Sequence, residues 1–231
     1  MAEGPMKVVA VNGSPKMGNG TTAMILAFFL EGLRESGAEA EIFYTKQLMI
    51  NPCLGDFRCS THTPGECIQK DDMQMLHPKL CEADIWVFAT PLYVSGMAGP
   101  LKNLIDRIVI PLGEPHIELW DGHCHHPLRK EVKGGKVVLV SSCGYWELDN
   151  FDLLVEYMRA FCEHAEREFA GALLRPHGPP LMPMLERGAA VSDIFEAARE
   201  AGQQLIEQQE IAAETLARVS RPLLPLEAYV R

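Results

Sequence analysis

Short continuous apolar runs and longer segments of helical period take turns along this chain. Residues 7–12, 41–44, 84–90, 136–140 and 168–174 make the short runs, with Val8-Val9-Ala10-Val11 and Ile85-Trp86-Val87-Phe88-Ala89 the clearest. Unbroken runs of this length mark strands buried on both faces of a parallel sheet. Residues 22–36 place Ala23, Leu26, Ala27, Leu30 and Leu33 at helical spacing before Gly37, and residues 150–166 repeat the pattern. Asp71 and Asp72 read as the cap and first turn of a helix reaching Cys81, and Pro100 as the first turn of another. Residues 193–219 read as one long helix. Five strand–helix repeats predict a three-layer α/β/α sandwich whose five-stranded parallel sheet has the order 2-1-3-4-5.

A single domain over residues 1–219 accounts for most of the 231 residues. Residues 111–134 form an insertion in which Pro111, Pro115 and Pro127 are expected to break regular structure. Residues 220–231, with Pro222 and Pro225, form an apolar tail expected to pack on a neighbouring subunit.

Three predicted strands end in loops of similar chemistry. The first gives way to Gly13-Ser14-Pro15-Lys16-Met17-Gly18-Asn19-Gly20-Thr21-Thr22 and then a helix. Backbone N–H groups and hydroxyls at the positive end of a helix dipole suit an anion, most often a phosphate. Asn19 stands where a Walker A loop needs lysine, and no Gly-x-Gly-x-x-Gly is present. A monophosphate fits what remains; an ordinary polar turn fits as well. The third strand runs into Pro91-Leu92-Tyr93-Val94-Ser95-Gly96, then Gly99-Pro100-Leu101-Lys102-Asn103 and Asp106-Arg107, and the fourth into Ser141-Ser142-Cys143-Gly144-Tyr145-Trp146. Loops at the carboxyl ends of central strands border the crevice where such sheets bind ligands.

These three stretches resemble the flavodoxin-like NADPH-dependent FMN reductases. The resemblance covers about residues 6–176 and implies a flavodoxin-like fold with bound FMN. By that resemblance Ser14, Lys16, Asn19, Gly20, Thr21 and Thr22 surround the FMN phosphate. Pro91, Leu92, Tyr93, Val94 and Gly96 then border the ring, and Ser142, Cys143 and Gly144 meet its pyrimidine end. Asp106 and Arg107 are expected to hold helix and sheet together, or to make a dimer contact, rather than to act chemically.

Cys53, Cys59 and Cys67 lie in a Pro- and Gly-rich segment suited to a soft metal. The segment resembles the cluster loop of the iron–sulfur flavoproteins, a branch of the same superfamily, except that Asp56 stands where the second cysteine should be. Carboxylate oxygen suits such a cluster less well than thiolate, so a [4Fe-4S] group is weighed against zinc and against a plain loop beside the flavin. The insertion carries His116, His123, Cys124, His125 and His126, which lack a metal-binding helical spacing and read better as a lid or partner contact.

A net charge of −10 without any basic run excludes a nucleic-acid surface. No leader or long apolar span is evident, which predicts a cytoplasmic protein off the membrane. Seven cysteines read as thiols or ligands rather than a disulfide frame. The resulting expectation is an NAD(P)H-dependent flavin or quinone-type oxidoreductase, a homodimer or homotetramer, passing hydride through FMN to a small flat acceptor. Its alternative is an electron carrier serving a protein partner.

Overall fold

The computed structural model describes residues 4–230, without the side chain of Ile110. Residues 1–3 and 231, the outer ends of the expected domain and tail, lie outside the described residues. Strands β1 (Lys7–Asn12), β2 (Glu39–Tyr44), β3 (Ile85–Pro91), β4 (Gly135–Ser142) and β5 (Arg167–Arg175) form one sheet. Its order is β2-β1-β3-β4-β5 with every pairing parallel, as expected. The connecting helices are α1 (Thr21–Glu35), α2 (Met73–Glu82), α3 (Gly99–Ile105) and α4 (Asp152–His164), followed by α5 (Ser192–Glu207) and α6 (Ala213–Ser220).

The two-residue period of a strand explains the three layers. Val8, Ala10, Val87, Ala89, Val138 and Val140 pack with Phe29 and Leu33 of α1 and Ala198 and Leu205 of α5. Val9, Val11, Trp86, Phe88, Val137 and Leu139 face Leu76 and Leu80 of α2, Leu104 of α3 and Met158 of α4. Both faces of the central strands β1, β3 and β4 are covered, so these carry no polar alternation. The edge strand β2 alternates Glu39 and Glu41 with Ala40 and Ile42. Helices α1 and α5 meet at Gly32 and Gly202. A Cβ on Gly32 would stand 1.9 Å from the Arg199 carbonyl oxygen, and one on Gly202 would stand 2.2 Å from that of Phe29. Only glycine permits that approach.

Three local expectations are corrected. The long helix expected over 193–219 breaks between Glu207 and Ala213, where Gln209 takes φ +61°. The Gln204 side chain accepts from Ala212 N at 3.0 Å and donates to Thr215 Oγ1 at 3.0 Å, stabilising the break. The insertion is not irregular throughout: Glu118–Trp120 and His123–His125 form an antiparallel hairpin. Its turn is Asp121-Gly122, with φ +49° and +82°, the left-handed pair that a two-residue hairpin requires. Asp72 precedes α2, but its side chain makes no capping hydrogen bond there; it accepts from Met49 N at 2.6 Å. Asp71 accepts from Asn51 N at 2.9 Å and from Met73 N at 3.2 Å. The pair thus staples the chain leaving β2 rather than simply capping the helix.

The start of the tail is held to the body of its own chain. Arg175 donates to the carbonyls of Val219 and Arg221 at 2.7 and 2.6 Å, and Trp146 Nε1 donates to Leu224 O at 2.9 Å.

Candidate functional site

Strand β1 ends in a polar residue with a structural task. Asn12 is fully buried, accepts from Ser14 N at 2.8 Å and donates to Met17 O at 3.2 Å, folding the following loop back on itself. Ser14 Oγ in turn accepts from Lys16 N at 3.3 Å. Lys16 and Asn19 are exposed on the loop's outside, and Gly20 stands at the N-cap of α1. No side chain caps this fifteen-residue helix, so its first-turn N–H groups remain available as donors.

Thr21 and Thr22, at the start of α1, make hydrogen bonds to the neighbouring segments. Thr21 Oγ1 donates to Gly178 O at 3.1 Å, and the buried Thr22 Oγ1 shares a 2.6 Å hydrogen bond with Ser142 Oγ. Their hydroxyls tie the helix start to the loop after β4 and to the segment after β5. Among the side chains of the first loop, Ser14, Lys16 and Asn19 are left to meet an anion, together with the helix amides.

The second loop is anchored from behind. Thr90 Oγ1 accepts from Ala98 N at 2.9 Å, and Ser141 Oγ donates to Thr90 O at 2.8 Å. Pro91 continues the strand, and Leu92 N donates to Ser142 O at 2.8 Å, joining the second and third loops. Tyr93 and Gly96 exchange hydrogen bonds of 2.8 and 3.0 Å, closing a tight turn with Val94 at φ +48° and Ser95 at φ +61°. The Gly96 N–H is therefore engaged in the turn. A β-branched residue at positive φ is a strained arrangement, and it holds Val94 fully exposed beside a half-exposed Tyr93.

The third loop begins with buried Ser142 and Cys143 and surfaces at Gly144 and Tyr145. Burial pushes the Cys143 thiol up, so it stays protonated near neutral pH. A Cβ on Gly144 would meet nothing within 4 Å. The tail reaches this loop as well: Tyr229 Oη donates to Gly144 O, and the Tyr229 ring lies edge-on to His177, 5.6 Å between centroids. Neither Asn12 nor Tyr229 is among the expected site residues. Asn12 had a signal, a polar residue closing an apolar run; Tyr229 had none.

The donor set fits the phosphate of FMN: an uncapped helix start, the Ser14 hydroxyl and Lys16, with exposed Tyr93 and open space at Gly144 for a flat ring. The cysteine segment fits a cluster less well. Burial pushes the Cys59 thiol up, and Cys67, Cys53 and Asp56 add to that shift. Yet among the described residues no three His, Cys, Asp or Glu side chains converge to hold a metal ion, in this segment or in the His-rich hairpin. His125 stacks on Trp120 at 4.9 Å instead. Cys67 Sγ lies 3.4 Å from Arg107 Nη2. Arg107 is buried and pairs with Asp71, Nη2 to Oδ1 at 3.0 Å, and donates to Asn51 O at 3.0 Å. It holds the cysteine segment to the end of α3, a structural role, though to a loop rather than to the sheet.

Comparison with known proteins agrees with this geometry. The family model described as NADPH-dependent FMN reductase matches residues 6–160, which include all three loops. An iron–sulfur flavoprotein of Archaeoglobus fulgidus is 41% identical over 102 residues, 44% of this chain and 48% of that one. The chain spans about half the length of the curated relatives it matches. The FMN-dependent NADH-azoreductase of Bacillus anthracis, solved with FMN, shares the fold at a TM-score of 0.61 and 14% identity, over 87% of this chain and 100% of that one. The NAD(P)H:quinone oxidoreductase of Methanothermobacter marburgensis gives 0.57 at 18% identity, over 87% and 97%. No helix among the described residues is long and apolar enough to cross a membrane. With the family model spanning residues 6–160 and the three loops in place, the chain belongs to the NADPH-dependent FMN reductase family.

Proposed function

We propose that the protein is an NAD(P)H-dependent flavin or quinone-type oxidoreductase that binds FMN and reduces a small flat acceptor. The observation that carries this reading is the joining of three strand-end loops beside an uncapped helix start, through Thr22–Ser142 at 2.6 Å and Leu92–Ser142 at 2.8 Å. Bound FMN would supply the two-electron chemistry, accepting hydride from the nicotinamide and returning electrons to the acceptor. The chain's own part is positional. Ser14, Lys16 and the first-turn amides of α1 hold the phosphate, Tyr93 and Val94 border the ring, and main-chain donors near Gly144 face its pyrimidine edge. Cytoplasmic location and a homodimeric or homotetrameric state belong to the same reading.

The names of the curated relatives favour a second reading, an electron carrier with an iron–sulfur cluster. The side chains of Cys53, Asp56, Cys59 and Cys67 do not converge in a way that supports it. One experiment separates the two. FMN-loaded protein mixed anaerobically with NADPH or NADH should lose its visible flavin absorbance and regain it on adding menadione. Failure of both nicotinamides to bleach it overturns the reductase reading, and bleaching only by a reduced partner protein favours the carrier.

A further inference from the structure

A cleft of about 530 Å³ opens along α2, away from the flavin crevice, and none of the three strand-end loops lines it. Its walls include two arginines in unlike states. Arg107 is paired with Asp71 and donates to Asn51 O through its Nη atoms, although its Nε has no partner among the described residues. Arg129 is not so held. Its side chain is 12% exposed, its Nε has no partner among the described residues, and the Glu131 carboxylate that faces it stands 3.8 Å from Nη1. That distance exceeds a hydrogen bond. A buried Nε–H without an acceptor is costly, and neither Nη atom has a carboxylate within hydrogen-bond distance among the described residues. The position is nonetheless built. Arg129 N donates to Leu112 O at 2.9 Å, and the guanidinium lies against Gly65, where an added Cβ would come within 3.4 Å of Nε.

We propose that this cleft binds a small monocarboxylate with an apolar body, its carboxylate taken by the fork of Arg129. Planar, two-pronged donation matches a carboxylate. The remaining charges select against polyanions: Asp71 already neutralises Arg107, while Glu66, Glu82 and Glu131 share the lining. Met73, Pro78, Pro111 and Val132 supply apolar wall for the ligand's body. The volume falls in the range of small-molecule sites. This inference does not rest on the flavin reading and stands or falls apart from it.

The test is calorimetric titration of the full-length, FMN-loaded protein with benzoate, cyclohexanecarboxylate, benzamide and inorganic phosphate. The two carboxylates should bind with millimolar or tighter Kd, and uncharged benzamide and phosphate at least tenfold more weakly. Arg129→Gln should weaken carboxylate binding at least tenfold, with Arg129→Lys between it and the wild type. Val132→Trp fills the cleft without changing a charge and should abolish binding, which decides the matter even if Arg129→Gln fails to fold. FMN affinity, read by fluorescence in the same samples, should not change. Absence of binding by both carboxylates overturns the proposal. So does binding that survives Val132→Trp, or phosphate binding as tight as benzoate.

Discussion

At the scale of single residues, Ser14 and Thr22 look alike in the sequence and differ in the fold. Both are buried hydroxyls on the first loop, but Thr22 is committed to Ser142 while Ser14 accepts only from Lys16 N. Thr22→Val leaves Ser142 Oγ buried without its partner and should cost about 1–3 kcal/mol of stability. Ser14→Ala should leave unfolding nearly unchanged but weaken FMN roughly 10- to 150-fold, the worth of one hydrogen bond to a charged group. Urea unfolding and fluorescence titration of both variants check this; equal stability losses would show the two hydroxyls to be equivalent after all. Local pattern made the loops legible, because glycine, proline and serine follow each apolar run. The Thr22–Ser142 pair spans 120 residues, and nothing local in either stretch announces it. His177 is a second residue whose role lay beyond local pattern. It is fully buried and its Nε2 accepts from Leu223 N at 3.2 Å. Burial first, then the charge of Arg175, lowers its pKa from 6.5 to about 4. The unfolded chain therefore takes up this proton below about pH 6.5, while the folded chain resists until about pH 4. Stability contributed here is fully present above pH 6.5 and falls with pH across that window, by roughly 3 kcal/mol in all. Urea unfolding at pH 7, 6, 5 and 4 should show a steeper acid loss for the wild type than for His177→Asn. Parallel losses would assign the acid sensitivity to other groups.

Among the elements, the strands were readable from their apolar runs, α1 and α4 from their apolar period, α2 from Asp71-Asp72 before its start and α3 from Pro100 in its first turn. The two misjudged segments lacked those signals or hid them. Residues 193–219 contain no proline and only Gly202, so the apolar period runs through a break made by the Gln204 side chain and by burial of Ile211. In the insertion, prolines drew attention from Trp120-Asp121-Gly122-His123, a two-residue hairpin signal in plain view. Gly202 itself reads as a weak point in a helix, yet it is where α5 meets α1. Gly202→Ala gains helix propensity, about 1 kcal/mol in isolation. Against that, its methyl group would enter within 2.2 Å of the Phe29 carbonyl oxygen, and backbone cannot yield as a side chain does. The net result should be a loss of about 1–3 kcal/mol, the range for overpacking, read by urea unfolding with FMN absent. A stabilised Gly202→Ala variant would mean that the two helices separate freely.

For the whole molecule, the parallel order β2-β1-β3-β4-β5 brings the loops after β1, β3 and β4 to one carboxyl edge of the sheet. Their shared hydrogen bonds, Thr22 to Ser142 and Leu92 to Ser142, make them walls of one crevice. Exposed Tyr93, Val94 and Tyr145 stand at its rim. In the proposed reaction a nicotinamide must stack there with its reacting carbon about 3–3.5 Å from the acceptor atom. A quinone or free flavin is also flat and must come equally close to be reduced. Two stacked rings cannot occupy the same place, so NAD(P)⁺ must leave before the acceptor enters. Initial rates measured against NADPH at several menadione concentrations should therefore give parallel double-reciprocal lines, the pattern of a ping-pong cycle. The acceptor at high concentration should also inhibit competitively with NADPH. Intersecting lines would mean that both substrates are held together, with the acceptor docking outside the crevice. The cysteine segment, linked to the end of α3 through Arg107, would then be the first place to look.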